Sequence, residues 1–215
     1  MNDNDIQKLI DGFTQFRAQH FGVDSNLYPR LTREGQSPRV MVIACCDSRV
    51  DPAIILSCDP GDLFIVRNVA NLVPPQEDQG HYHGTSAALE FAVRILGIRH
   101  IIVLGHSRCG GIHTLLTGIE GQDDIGQFIT PWMTIAAKAR QEALASGHPH
   151  DSPEAQRIAE QASIRISLEN LNSFAWLKQN IEAGTLHIHG WYFDLDHGDL
   201  LRIDPASHRF ESLLR

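Results

Sequence analysis

Two short stretches carry residue types that packing alone does not call for. Cys45-Cys46-Asp47-Ser48-Arg49 closes the apolar run Val40-Met41-Val42-Ile43-Ala44. Gly105-His106-Ser107-Arg108-Cys109-Gly110-Gly111 closes a second run, Ile101-Ile102-Val103-Leu104. His106-x-x-Cys109 is a local pair of zinc-type ligands on a turn entering a helix, and Cys45 from a neighbouring strand end adds a second thiolate. Three protein ligands with a fourth position open is the arrangement of catalytic zinc, whereas structural sites are normally closed by four. Gly110 and Gly111 let the backbone pass close to a metal, and the helix start favours the Cys109 thiolate. If the chain stays extended beyond Ala44, Cys45, Asp47 and Arg49 share one side, with Cys46 and Ser48 opposite. Plainer readings exist for each residue alone: buried thiols, a core histidine, an Asp47–Arg49 salt bridge at a strand end.

The elements that must position these residues alternate between strand and helix. Ile6, Leu9, Ile10, Phe13 and Phe16 recur at helical spacing and predict an amphipathic helix over 5–21, packed on its own domain or on another subunit. Strands are expected at 39–44, 63–66 and 101–104, with continuous apolar runs typical of a parallel sheet covered on both faces. Asp51-Pro52 predicts the cap and first turn of a short helix. Thr85 or Ser86 should cap a helix closed by Gly97, and another helix should begin at Gly111 or Ile112. Thr130-Pro131 and Ser152-Pro153 predict helices over 131–145 and 153–172, and 173–183 should continue as helix to Gly184. Residues 186–195 and 200–203, joined by Asp196-His197-Gly198-Asp199, predict an antiparallel hairpin. The expected fold is α/β: a mostly parallel central sheet flanked by helices, with an antiparallel edge hairpin near the C-terminus and an N-terminal helical arm. In such sheets ligands bind beyond the carboxyl ends of the strands, where both special stretches lie.

The 215 residues are expected to form one domain, 1–215, with residues 1–30 as the arm. A formal net charge of −8 argues against a nucleic-acid or anionic-membrane partner. No apolar run is long enough to span a membrane, and Met1-Asn2-Asp3-Asn4-Asp5 lacks the layout of a secretion signal, so the cytoplasm is the expected compartment. Four cysteines are too few for a disulfide scaffold of this size and suit metal binding, chemistry or burial. Cys46 reads as a buried small hydrophobe and not a ligand, Cys58, His187 and His189 read as structural, and Arg67 reads as a structural cation bridging loops or subunits. His81 and His83, on a polar loop, either relay protons or stay solvated.

Cys45-x-Asp47-Ser48-Arg49 with Gly105-His106-x-x-Cys109-Gly110-Gly111 resembles the signature of the β-class carbonic anhydrases. The likeness extends through Gln36-Ser37-Pro38, Val66 to Pro75 and Gly84-Thr85, and is dense over residues 30–120. The resemblance implies one Zn2+ per chain on Cys45, His106 and Cys109, with Asp47 and Arg49 as a catalytic dyad in which Arg49 holds Asp47 ionised and turned from the metal. It implies hydration of CO2 to bicarbonate by attack of zinc-bound hydroxide. It also implies a substrate pocket from Gln36, Phe64, Val69, Phe91 and the Gly110 N–H, where Phe91 replaces a Tyr of plant-like members. Val42 and Ala44 stand where a bicarbonate-regulated subtype has Trp and Gly, which implies the open, plant-like subtype. A homodimer or higher homo-oligomer such as a tetramer, with active sites near the interface, is implied as well. Two rival functions remain: hydrolysis of a related cumulene, CS2 or COS, and zinc binding without catalysis.

Overall fold

The computed structural model describes residues 4–22, 25–77, 83–118 and 126–214. Helices α1 (Asn4–His20) and α2 (Leu27–Glu34) lead into strand β1 (Val40–Cys45), then α3 (Pro52–Ile55) and β2 (Leu63–Asn68). Helix α4 (Gly84–Glu90) runs into a wider turn at Phe91–Ile95 and returns the chain to β3 (His100–His106). Helices α5 (Gly110–Thr117), α6 (Ile129–Met133), α7 (Ala137–Ala145), α8 (Pro153–Leu171) and α9 (Ala175–Glu182) precede β4 (His187–Asp194), β5 (Asp199–Ile203) and β6 (Phe210–Ser212). The described strands form one sheet in the order β2-β1-β3-β4-β5-β6. Strands β2, β1, β3 and β4 run parallel, and β4–β5 and β5–β6 are antiparallel.

Both faces of the central strands are apolar, as their unbroken hydrophobic runs require. Met41, Ile43, Ile101 and Val103 pack on one face against Leu89, Ala92, Ile164, Leu171 and Leu177 from α4, α8 and α9. Val42, Ala44, Ile102 and Leu104 form a smaller buried group on the other face, with Ile55 and Trp191 against it. Helix α8 lies unusually close to the sheet because two strand positions lack side chains. A Cβ on Gly105 would sit 2.7 Å from Ile164 Cδ1, and one on Gly190 2.8 Å from Ile164 Cγ2.

The Asp51 cap accepts hydrogen bonds from Ala53 N and Ile54 N, and Ser152 accepts one from Ala155 N, as the Asp-Pro and Ser-Pro pairs imply. Other boundaries differ from expectation because side chains are engaged elsewhere. Thr130 lies inside α6, which begins at Ile129, and its hydroxyl accepts the N–H of Gly126 ahead of the helix. The helix expected over 131–145 breaks into α6, a 3₁₀ turn at Thr134–Ala136 and α7, with the Thr134 hydroxyl bonded to the Pro131 carbonyl. Thr85 is not a cap either, since its hydroxyl accepts from Asn68 Nδ2 and the helix starts at Gly84. Phe174 is extended and separates α8 from α9, where Ser173 and Asn172 side chains bond the Asn170 and Leu168 carbonyls. Strand β6 has three residues and no alternating pattern that would announce it.

Helix α1 buries none of its residues. Ile6, Leu9, Ile10 and Phe13 are 62, 68, 52 and 62% exposed, so the apolar face is not covered by its own chain among the described residues.

The contact between α8 and Gly105 generates a stability test. Gly105→Ala should cost about 1–3 kcal/mol by overpacking against Ile164. In urea unfolding, the double variant with Ile164→Ala should lose less than the sum of the two single losses, because the truncated side chain makes room for the new methyl.

Candidate metal centre

Cys45 ends β1 and His106 ends β3, and these strands are neighbours in the sheet. Cys109 occupies the cap position of α5 in an extended conformation, three residues beyond His106. The three side chains are buried, and their ligand atoms all lie within 4.8 Å of one another. The two sulfurs are 3.9 Å apart, a spacing that two Zn–S bonds of about 2.3 Å span at a tetrahedral angle. His106 Nδ1 lies 2.8 Å from the Ser107 carbonyl oxygen and must donate to it, which leaves Nε2 with a free lone pair. That Nε2 is buried and has no hydrogen-bond partner. An orphaned nitrogen facing two thiols in a buried pocket fits a thiophilic divalent cation and little else.

The charges point the same way. A contact between the two sulfurs, in which either can donate, pulls the Cys45 thiol well below a free thiol. The same contact, with burial, raises Cys109. Two thiolates this close would repel each other, and a cation between them would hold both.

Asp47 and Arg49 meet, but not by strand alternation. The chain leaves β1 after Cys45 and turns at Ser48 and Arg49. Arg49 N donates to Asp47 Oδ1 at 3.0 Å, an Asx-type turn. The guanidinium then grips the same carboxylate through Nε to Oδ1 at 2.9 Å and Nη2 to Oδ2 at 2.7 Å. This bidentate contact holds the Asp47 carboxyl far below the usual carboxylate range. Arg49 Nη2 also donates to the Arg108 carbonyl at 3.0 Å, tying the two special stretches together. Arg67 braces the loop from below, donating to the carbonyls of Cys45 and Asp47 and pairing with Asp51. It bridges loops, as its type and position suggest. Cys46 is exposed and not the buried small hydrophobe expected of it, because the strand ends at Cys45; its amide donates to the Asn68 carbonyl.

Gly110 opens α5 beside the ligands, and Val69 touches the same loop. A Cβ on Gly111 would fall 2.8 Å from Val69 Cγ1, so the close approach that needs glycine there is to Val69; nothing crowds Gly110. Val69 also lines an open cavity with Cys46, Asn68, Thr85, His83 and Trp132. Gln36, Phe64 and Phe91 are elsewhere. Phe64 pairs with Met41 while Cys45 pairs with Asn68, four residues on, a separation of about 13 Å along the strand. Phe91 stacks on Phe64 at 6.0 Å between ring centroids. Gln36 is exposed and precedes β1, at the end of the sheet away from Cys45. Val42 and Ala44 are fully buried in the smaller core group. His83 stands at the start of α4, and His81 lies outside the described residues. His187 and His189 cluster with His100, His189 Nε2 lying 3.2 Å from His100 Nδ1. Cys58 bonds the Leu56 carbonyl.

Sequence reasoning passed over Glu160. It is 2% exposed and accepts the Cys109 N–H at 2.9 Å, yet on a helix rich in Glu, Gln and Arg nothing in the spacing sets it apart.

A family model described as carbonic anhydrase matches residues 40–200. Beta carbonic anhydrase 5, chloroplastic, of Arabidopsis thaliana is 40% identical over 195 residues, which are 90% of this chain and 63% of that protein; the chain thus spans a little under two thirds of that relative. The solved structure of the β-carbonic anhydrase CcaA superposes with a TM-score of 0.88 at 31% identity, covering 97% of this chain and 92% of that one. A tetrameric β-carbonic anhydrase of Sordaria macrospora gives 0.73 at 27% identity, covering 99% and 96%.

The Asp47–Arg49 pair has a pH signature. Asp47 is depressed in the folded state, so the pair stabilises above the ordinary carboxylate pKa of about 3.9, and that contribution fades as pH falls below it. Arg49 is half exposed, so the contribution is at most about 1 kcal/mol. Arg49→Ala should lose this acid slope, and NMR titration of Asp47 should move its pKa back up toward the usual range.

Proposed function

Because this chain belongs to the carbonic anhydrase family, in its β class, we propose that it catalyses the reversible hydration of CO2 to bicarbonate and a proton at a single Zn2+ per chain. The observation that carries the proposal is the buried convergence of Cys45, His106 and Cys109 with an unpartnered imidazole nitrogen, directly beside a carboxylate that its neighbour keeps ionised. Zinc on three such ligands, with its fourth position open, supplies a Lewis acid that makes water nucleophilic near neutral pH, an effect the handling of CO2 by carbonic anhydrases illustrates.

The chain's own groups do the rest. Cys45 and Cys109 balance the metal's charge, and the Ser107 carbonyl fixes the His106 tautomer that presents Nε2. Arg49 engages both oxygens of Asp47 and so keeps it from closing the fourth position. Asp47, ionised, accepts a hydrogen bond from the attacking oxygen and turns its lone pair toward CO2. Val69 and the Gly110 N–H line the substrate side. Val42 and Ala44 stand where the bicarbonate-regulated subtype has Trp and Gly, which supports an open site in which Asp47 stays on Arg49.

Gln36, Phe64 and Phe91 stand too far along the sheet to serve the ligands of their own chain. Their substrate role therefore requires a second copy, whose pocket they complete. The uncovered apolar face of α1 supports an arm, residues 1–30, that packs on a partner, and the relative from Sordaria macrospora is tetrameric. We read residues 1–215 as one domain of such a homo-oligomer, acting in the cytoplasm on a small-molecule substrate.

Two experiments test this. In Asp47→Ala, zinc content by metal analysis should stay at about one per chain while stopped-flow CO2 hydration falls by about 10²-fold or more. Unchanged turnover would remove Asp47 from the mechanism, and a wild-type protein without zinc would remove the metal. Secondly, Cys45→Ser and a Gln36→Ala/Phe64→Ala double variant should each be inactive alone. Co-refolded at equal amounts, they should recover about a quarter of wild-type activity through mixed dimers, one complete site in half of the pairs.

A further inference from the structure

Helix α8 carries two side chains, one helical turn apart, that reach the backbone of a single zinc ligand. Glu160 Oε1 accepts the Cys109 N–H at 2.9 Å, and Gln156 Nε2 donates to the Cys109 carbonyl at 3.3 Å and to Glu160 Oε1 at 2.9 Å. The other carboxylate oxygen accepts from the fully buried Tyr192 hydroxyl at 2.8 Å. Two N–H groups and a hydroxyl thus engage both carboxyl oxygens of Glu160 and fix its place. Tyr192 is in turn held by the Arg157 guanidinium, 5.2 Å above its ring, and Arg157 pairs with Asp194 at 2.9 Å.

Resting on the zinc reading, we propose that Glu160 is a positioning residue of the zinc site: it fixes the Cys109 peptide so that its sulfur points at the metal, and so slows metal loss. It touches neither substrate nor the open position, so it holds the ligand and does not take part in proton transfer.

The test compares metal retention and spectra of the holoprotein. Glu160→Gln keeps one acceptor oxygen and puts an amide donor in place of the other; Glu160→Ala removes both oxygens. Transfer of zinc to a chromophoric chelator should run about tenfold faster in the first and up to about a hundredfold faster in the second. After cobalt replacement, the thiolate-to-cobalt absorption band should shift in both. Leu177→Ala, in the core group on α9, should lower the melting temperature while leaving zinc transfer and the cobalt band as in wild type. The proposal is overturned if folded Glu160→Gln keeps wild-type zinc transfer and cobalt absorption, or if Leu177→Ala changes them equally. If Glu160→Ala does not fold, Glu160→Gln decides. A wild-type protein that takes up neither metal would instead overturn the zinc reading, and this proposal with it.

Discussion

Parallel pairing of β1 with β3 is the constraint on which the site rests. It sets Cys45 and His106 at adjacent carboxyl ends of the sheet, within reach of one ion. Three residues after His106 the chain must reverse into α5, and it does so with Cys109 at the cap, aimed back at the same point. Nothing in this arrangement survives a slip of register, because moving one strand by a single residue would send its ligand to the opposite face. Converging two thiols and an orphaned imidazole nitrogen in a buried pocket is costly, and a metal on those three atoms would offset that cost and link folding to metal binding.

Around that centre polar contacts brace the two special stretches and tie them to each other and to neighbouring elements. Arg49 grips Asp47 and reaches the Arg108 carbonyl, Arg67 ties the Cys45–Asp47 strap to Asp51, and α8 clamps Cys109 through Gln156 and Glu160. That clamp exists because Gly105 and Gly190 bare the sheet beneath Ile164 and let α8 settle close. Packing geometry far from the ligands thus reaches the metal through one helix.

Much of this was legible in the residues. Continuous apolar runs announced the buried parallel strands, Asp51-Pro52 and Ser152-Pro153 announced their helices, and thiol and imidazole types at strand ends announced the ligands. What escaped was tertiary. Strand parity grouped Asp47 with Arg49 correctly but by the wrong route, since a turn and not an extended strand closes the pair. Thr85 and Ser173 looked like a cap and a helix former until their hydroxyls met partners from other segments, whereas Thr130 bonds Gly126 from inside its helix. Glu160 could not be singled out because its burial comes from the approach of α8 to the sheet, which no local pattern encodes. Gln36, Phe64 and Phe91 match the family's text, but no local pattern says that they lie far along the sheet from Cys45.

The central claim is an open three-ligand centre made of Cys45, His106 and Cys109. Zinc-edge X-ray absorption on the purified protein tests it most directly. The account predicts two sulfur scatterers at about 2.3 Å and two light atoms, the imidazole nitrogen and a water oxygen, at about 2.0–2.1 Å. A third sulfur, which would bring Cys46 onto the metal, or a shell without sulfur would contradict it.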